Sequence, residues 1–223
     1  MELAQALGVD RPVFALDDGA VSSGSELLFS SIEEAAAECL IALRSFYTMQ
    51  QVAILGGWSY GGVVAVEMMR QMAAQADEGR PLDVQRLLLF DAPLRPPTLA
   101  NGDQKELSSS LDEGENNRVE SDESTLDGLD SHVRHHFERC TDLLRVYQRR
   151  TKDLSFIQCS LLDVRPSQSR YLCSKEATEE LVVESRLVRR VQVAGSHWTM
   201  IFGEYALAVA AAVDAETEPF AAN

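Results

Sequence analysis

The chain has 223 residues, enough for one domain with a substantial core. At 45% hydrophobic and 25% charged residues, its composition is ordinary for a soluble globular protein. A formal net charge of −15 argues against nucleic acid as a partner, because phosphates call for a basic surface.

The start, MELAQALGVDRP, carries an acidic residue where a secretory signal would be basic, and no apolar h-region follows. The longest apolar stretch, YALAVAAAV at 205–213, is at most half a membrane span. Four cysteines (Cys39, Cys140, Cys159 and Cys173) show no CxxC spacing, so reduced, mostly buried thiols in a reducing, cytoplasmic compartment are expected.

In chain order, PVFAL at 12–16 reads as a short buried strand, followed by the turn-rich DDGAVSSGS. Ser31 with Glu34 three residues on is a capping-box pattern. It opens a helix over about 32–47 with Ile32, Ala36, Cys39, Leu40 and Leu43 on one face. VAIL at 52–55 is a second strand, and the helix over about 60–74 is apolar nearly all round, which implies deep burial. RLLLF at 86–90 is a third strand, ending in Asp91, Ala92 and Pro93.

From about 95 to 130 the periodicity breaks, and ten Asp or Glu residues stand against Lys105 and Arg118 between Ala100 and Asp130. Such a segment inside an α/β domain reads as a solvated lid, partly disordered over 100–130. DSHVRHHFERCTDLLRVYQRR, 130–150, closes it as an amphipathic helix with Val133, Phe137, Leu144 and Tyr147 on the apolar side. Alternation resumes with a strand at 154–162, a helix near 175–184, a strand at 188–194 and a last helix over about 203–213. Continuous apolar strands alternating with helices predict an α/β fold with a mostly parallel sheet covered on both faces. One domain over 1–214 with a lid at 95–150 and a tail at 215–223 is the expected organisation.

Gly57-Trp58-Ser59-Tyr60-Gly61 is a GxSxG pentapeptide between a strand and a helix. A turn tight enough to lift Ser59 clear forces strained backbone, and side chains at 57 and 61 are expected to collide with neighbouring backbone. Ser59 then lies at a helix N-terminus, which favours developing negative charge, with the Tyr60 N–H as one oxyanion donor. A serine hydroxyl needs a base. His197, in the loop AGSHW after the last strand, stands where a parallel sheet presents its binding edge.

His132, His135 and His136 lie instead on the polar lid helix. His132 and His136 share an i, i+4 face, but Val133 stands where a zincin has glutamate, so solvated histidines rather than metal ligands are expected. Two carboxylates, Asp91 and Asp163, each end a predicted strand and could orient the imidazole.

The runs AILGGWSYGGVVAVEMMRQM and GSHWTMI resemble the thioesterase domains of polyketide synthases, nonribosomal peptide synthetases and fatty-acid synthases. ELAQALGVDRPVFAL resembles their segment leading into an early strand. The resemblance covers most of the chain outside 95–175. It implies an α/β-hydrolase fold, Ser59 as nucleophile and His197 as base. It selects Asp91 as the acid if the chain is like the carrier-linked members and Asp163 if it is like the free-standing ones. It further implies an acyl or peptidyl carrier protein as partner, with the substrate on a phosphopantetheine arm and no cofactor or metal.

Family members place one more strand ahead of residue 1, with a glycine loop giving a second oxyanion N–H, and residues 1–11 supply neither. The expectation is therefore a fragment, a truncated gene model or a short variant; standing alone, it is expected to have an N-terminally shortened sheet in which PVFAL pairs directly with VAILG, with a half-built oxyanion hole. Acyl-thioester hydrolysis is the expected activity; ester hydrolysis or a degenerate acyl- or protein-binding module are the alternatives.

Overall fold

The computed structural model describes residues 2–8, 12–17, 19, 29–46, 54–75, 83–93, 130–148, 154, 156–168 and 188–217. Among these residues four parallel strands form one sheet in the order β1-β2-β3-β4: β1 Ile54–Trp58, β2 Arg86–Phe90, β3 Ser160–Gln168 and β4 Val188–Ser196. Five helices are described: α1 Glu2–Ala6, α2 Ile32–Phe46, α3 Tyr60–Ala74, α4 Ser131–Gln148 and α5 Gly203–Thr217.

The alternating direction of strand side chains divides the core into two layers. Leu87, Leu89 and Leu161 point to the face covered by α2, α3 and α4. Leu88, Phe90, Leu162 and Val164 point to the opposite face, where α5 packs through Val209 and Val213 and α1 through Leu3. Each fully buried leucine contributes about 1.5–3 kcal/mol, which is what holds a sheet between two helical layers. The α/β expectation is met.

Ser31 caps α2 by accepting the Glu34 N–H at 3.1 Å. The reciprocal arm lands one residue earlier than a capping box places it, because the Glu34 carboxylate accepts from the N–H and hydroxyl of Ser30. Those hydrogen bonds, the side-chain one foremost, hold the Glu34 carboxyl below its usual range. At the other end of the chain, the Glu2 carboxylate accepts the Gly203 N–H and so places negative charge at the N-terminus of α5.

Several expectations are corrected. PVFAL is not a strand: residues 12–17 have no regular structure, and Val13, Phe14 and Leu16 are exposed. Among the described residues β1 pairs only with β2, so the expected pairing of PVFAL with β1 does not form. β1 runs on through Trp58, because its ladder with β2 continues to Trp58 opposite Phe90.

The strand expected at 154–162 is displaced to Ser160–Gln168. The apolar residues ahead of it form a turn, with the Ile157 N–H donating to the Leu154 carbonyl, and they pack into the core without a ladder. DVRPSQ continues the strand, with Asp163 paired to Arg190 of β4 and Arg165 to Asp91 just past the end of β2. Pro166, which has no N–H to donate, coincides with a register shift before Gln168.

Helix α5 runs to Thr217, beyond the expected end at 213. The three described cysteines are free thiols, and of these only Cys140 is fully buried. The lid segment from 94 to 129, nearly all of the acidic tract, and the helix near 175–184 lie outside the described residues.

Candidate active site

The rim at the C-terminal ends of the strands collects the polar residues. Ser59 follows β1 directly and caps α3 with φ 52° and ψ −120°. Asp91 follows β2 with φ 46°. These are the two non-glycine residues with positive φ among those described, a conformation costing about 1–3 kcal/mol each. Ladder-like hydrogen bonds fix both: the Ser59 N–H donates to Phe90 O and the Asp91 N–H to Val164 O, each at 2.9 Å. The hydroxyl of Ser59 makes no capping bond to its own helix.

Two glycines permit this turn. A Cβ on Gly57 would lie 2.2 Å from the Gly61 carbonyl oxygen, and one on Gly62 would lie 2.5 Å from the Ala92 Cβ. The crowding expected at Gly61 is not there: a Cβ at that position meets nothing within 4 Å. Close approach is needed instead at Gly62, where the first turn of α3 presses against the end of β2.

His197 stands in the turn after β4. The turn is closed by Met200 N–H donating to Ser196 O and by Ser196 N–H donating to Thr199 Oγ1, and it is anchored by the fully buried Met200 side chain. Its Nδ1 lies 2.8 Å from Asp91 Oδ2, and both side chains are buried. Trp58, next to Ser59, donates its indole N–H to the His197 carbonyl at 3.0 Å and stacks on the imidazole with centroids 4.9 Å apart. Trp198 meets the edge of both rings, and Phe137 from α4 lies 5.0 Å from Trp198. The segments carrying Ser59, Asp91 and His197 thus converge on one aromatic-walled rim.

Asp163 does not reach the imidazole. It sits inside β3 opposite Leu89 and Arg190, not at a strand end. Its Oδ1 lies 2.7 Å from Arg165 Nε and its Oδ2 lies 2.7 Å from Arg190 Nη2. Arg165 in turn donates to Asp91 Oδ1 at 3.1 Å and to the Ala92 carbonyl at 2.8 Å. One buried guanidinium therefore joins the two carboxylates that the sequence left as alternatives. Sequence reading assigned Arg165 and Arg190 no part. The signal was available as Asp163 and Arg165 at i, i+2, one face of a strand, but the strand was placed too early to use it.

Tyr60 opens α3, where the helix itself supplies no i−4 acceptor for the N–H. The lid-helix histidines turn to different partners: His132 Nδ1 to Asp130 at 2.8 Å, and His136 Nε2 to Cys140 Sγ at 3.5 Å. The hydrogen bond from His132 holds the Asp130 carboxyl below its usual range. No cluster of three or more metal-ligating side chains occurs among the described residues. No helix among them is long and apolar enough to cross a membrane.

The fold and rim define an α/β protein with a serine at a strained strand-to-helix turn and an imidazole–carboxylate pair at the same rim of the sheet. The chain belongs to the thioesterase domain family, whose sequence profile matches residues 3–207, and is accordingly an enzyme of the thioesterase class.

Its backbone is similar to the RedJ thioesterase of the prodiginine biosynthetic pathway in Streptomyces coelicolor. The TM-score is 0.62 at 18% identity, over 96% of this chain and 78% of that one. It is equally similar to the type II thioesterase BorB from the borrelidin cluster, with TM-score 0.62 and 18% identity over 96% of this chain and 82% of that one. The NocB thioesterase domain, solved as a covalent complex with a fluorophosphonate nocardicin G analogue, matches with TM-score 0.52 and 20% identity. The match covers 86% of this chain and 76% of that one. At these identities the likeness shows the fold. No curated protein matches the chain.

Proposed function

We propose that the chain hydrolyses an acyl, polyketide or peptidyl thioester carried on the phosphopantetheine arm of a carrier protein, with Ser59, His197 and Asp91 as the catalytic residues. His197 takes the Ser59 proton as Oγ attacks the thioester carbonyl. The Tyr60 N–H at the head of α3 receives the developing oxyanion, where the helix dipole favours negative charge. The tetrahedral intermediate collapses as the C–S bond breaks, and the imidazolium returns its proton to the departing thiolate. Water, deprotonated by His197, then attacks the acyl-serine ester, and the regenerated hydroxyl recovers its proton as the free acid leaves. Asp91 holds the His197 tautomer and balances the imidazolium charge. Phe137 and Trp198 form an apolar wall for the acyl chain, and no cofactor or metal enters the sequence.

The observation that carries this reading is the 2.8 Å contact between His197 Nδ1 and Asp91 Oδ2, at the rim where Ser59 is held at φ 52°. The family match and the pathways named for its structural neighbours support the thioester and the carrier.

The test is covalent labelling by a fluorophosphonate probe, followed by turnover of acyl-pantetheine thioesters and matched oxygen esters. Labelling is expected in the parent and absent in Ser59→Ala, with thioesters turned over faster. Equal labelling of both proteins overturns the nucleophile assignment, and faster ester turnover identifies a carboxylester hydrolase. Binding of acyl-pantetheine without turnover identifies an acyl-binding module.

A further inference from the structure

Four charged side chains, from β4, β3 and the residue just after β2, continue inward from the surface to the imidazole. Arg190, partly exposed, contacts Asp163. Asp163 contacts Arg165, and Arg165 contacts Asp91, whose second oxygen meets His197. Register makes this possible. Arg190 stands directly opposite Asp163, and Arg165 follows two residues on from Asp163, so the three project from one face of the sheet.

We propose that Arg165, braced by Asp163 and Arg190, is a positioning residue that sets the proton affinity of the Asp91–His197 pair. The proposal rests on reading that pair as the acid and base of the reaction.

Asp91 is fully buried, and a carboxylate out of water is costly to ionise beside a neutral imidazole alone. The guanidinium supplies the missing countercharge. Its fork holds Asp91 Oδ1 with Nη1 and the Ala92 carbonyl with Nη2, which leaves Oδ2 aimed at His197. A cation this close also opposes the imidazolium that forms during catalysis. Asp163 offsets that by sharing Arg165 through Nε, and Arg190 balances Asp163 in turn. Arg165 of β3 contacts the pair directly, Asp163 of the same strand and Arg190 of β4 stand behind it, and the Trp58 and Trp198 rings pack on the imidazole without charge. The four ionised side chains sum to zero, so each deletion moves the pair in a direction fixed by its sign.

The experiment is an NMR titration of the His197 imidazole in histidine-labelled protein, its signal identified by loss in His197→Asn. The pH profile of fluorophosphonate labelling is measured alongside. Arg165→Met is expected to raise the His197 midpoint by about one pH unit, and Arg190→Gln to raise it by a few tenths. Asp163→Asn is expected to lower it by about half a pH unit. Arg165→Lys keeps the charge but loses the fork, so the midpoint stays within about 0.3 pH unit while labelling slows several-fold.

Midpoints unmoved in all variants, or moved in the same direction by Arg165→Met and Asp163→Asn, overturn the proposal and leave the network a packing device. Should Arg165→Met fail to fold, the opposed shifts of Asp163→Asn and the surface-reaching Arg190→Gln decide. Parent protein that does not label but shows the opposed shifts defeats the nucleophile reading and keeps this one; labelling with unmoved midpoints does the reverse.

Discussion

Asp91 and Glu67 are both fully buried carboxylates, yet they are held in different ways. Glu67 lies inside α3, and its partners are local: Arg70 one turn on, Gln71 at i+4, and the Tyr147 hydroxyl donating from α4 at 2.8 Å. Burial alone would raise its carboxyl. The hydrogen bonds from Arg70, Gln71 and Tyr147 outweigh that and hold it below the usual range. Asp91 has partners 74 and 106 residues away, and one of them is an imidazole that can take up a proton. A carboxylate served by its own helix and a phenol ties two helices together. One served by an arginine of β3 and an imidazole after β4 joins three segments at the rim. Burial does not tell the two apart; the origin of the partners does.

The strongest way to break this contrast is Asp91→Asn. The activity of the folded protein should fall about 10⁴-fold, since the amide neither enforces the productive tautomer nor balances the imidazolium. Thioester turnover with circular dichroism as the folding check measures it, and a loss under tenfold removes Asp91 from the chemistry.

Gly62→Ala tests the seam between the two regions, because Gly62 lets the helix of Glu67 press on Ala92 beside Asp91. With no room for the methyl, a loss of about 3 kcal/mol or more is expected in urea unfolding. Gly61→Ala, whose methyl meets open space, should stay within about 0.5 kcal/mol. Equal costs would mean that the approach of α3 to β2 is not what fixes the turn.

Glu67→Gln should cost about 2 kcal/mol of stability while the pH profile of catalysis stays put, the reverse of the Asp91 signature. The sign with pH follows from its lowered carboxyl. The contribution of Glu67 is fully present above its ordinary value of 4.5 and is lost as pH falls through the lower folded-state value. Parent and variant unfolding midpoints should therefore converge below pH 4.5, and a constant gap down to acid pH would refute the assignment. Smaller than Glu67→Gln is Tyr147→Phe, which removes one of several donors to Glu67 and should cost about 1 kcal/mol by the same measurement.

Legibility in the sequence followed the range of the interactions. RLLLF, the helix from Tyr60 and the turn at Ser59 could be read because an apolar run, a 3.6-residue period and a glycine pair are local signals. PVFAL carries the same local signal and forms no strand, since a strand exists only where another offers its edge. LSFIQC misled in the same way: its apolar residues serve the core equally well from a turn. Glu67 was invisible because a charge on an apolar helix reads as exposed until Arg70, Gln71 and Tyr147 are known to surround it. The lid over 95–129 lies outside the described residues.

The linear order of residues by itself determined the α/β class, the helix faces, and the placement of Ser59 and His197 just after strands, all consequences of backbone geometry repeating over a few residues. It favoured Asp91 as the acid and kept Asp163 as the alternative, since each is an acid at the end of an apolar run. Only the tertiary structure separated them. The register of β2, β3 and β4 turns one toward the imidazole and the other toward two arginines, and register is a relation between strands that no strand contains alone.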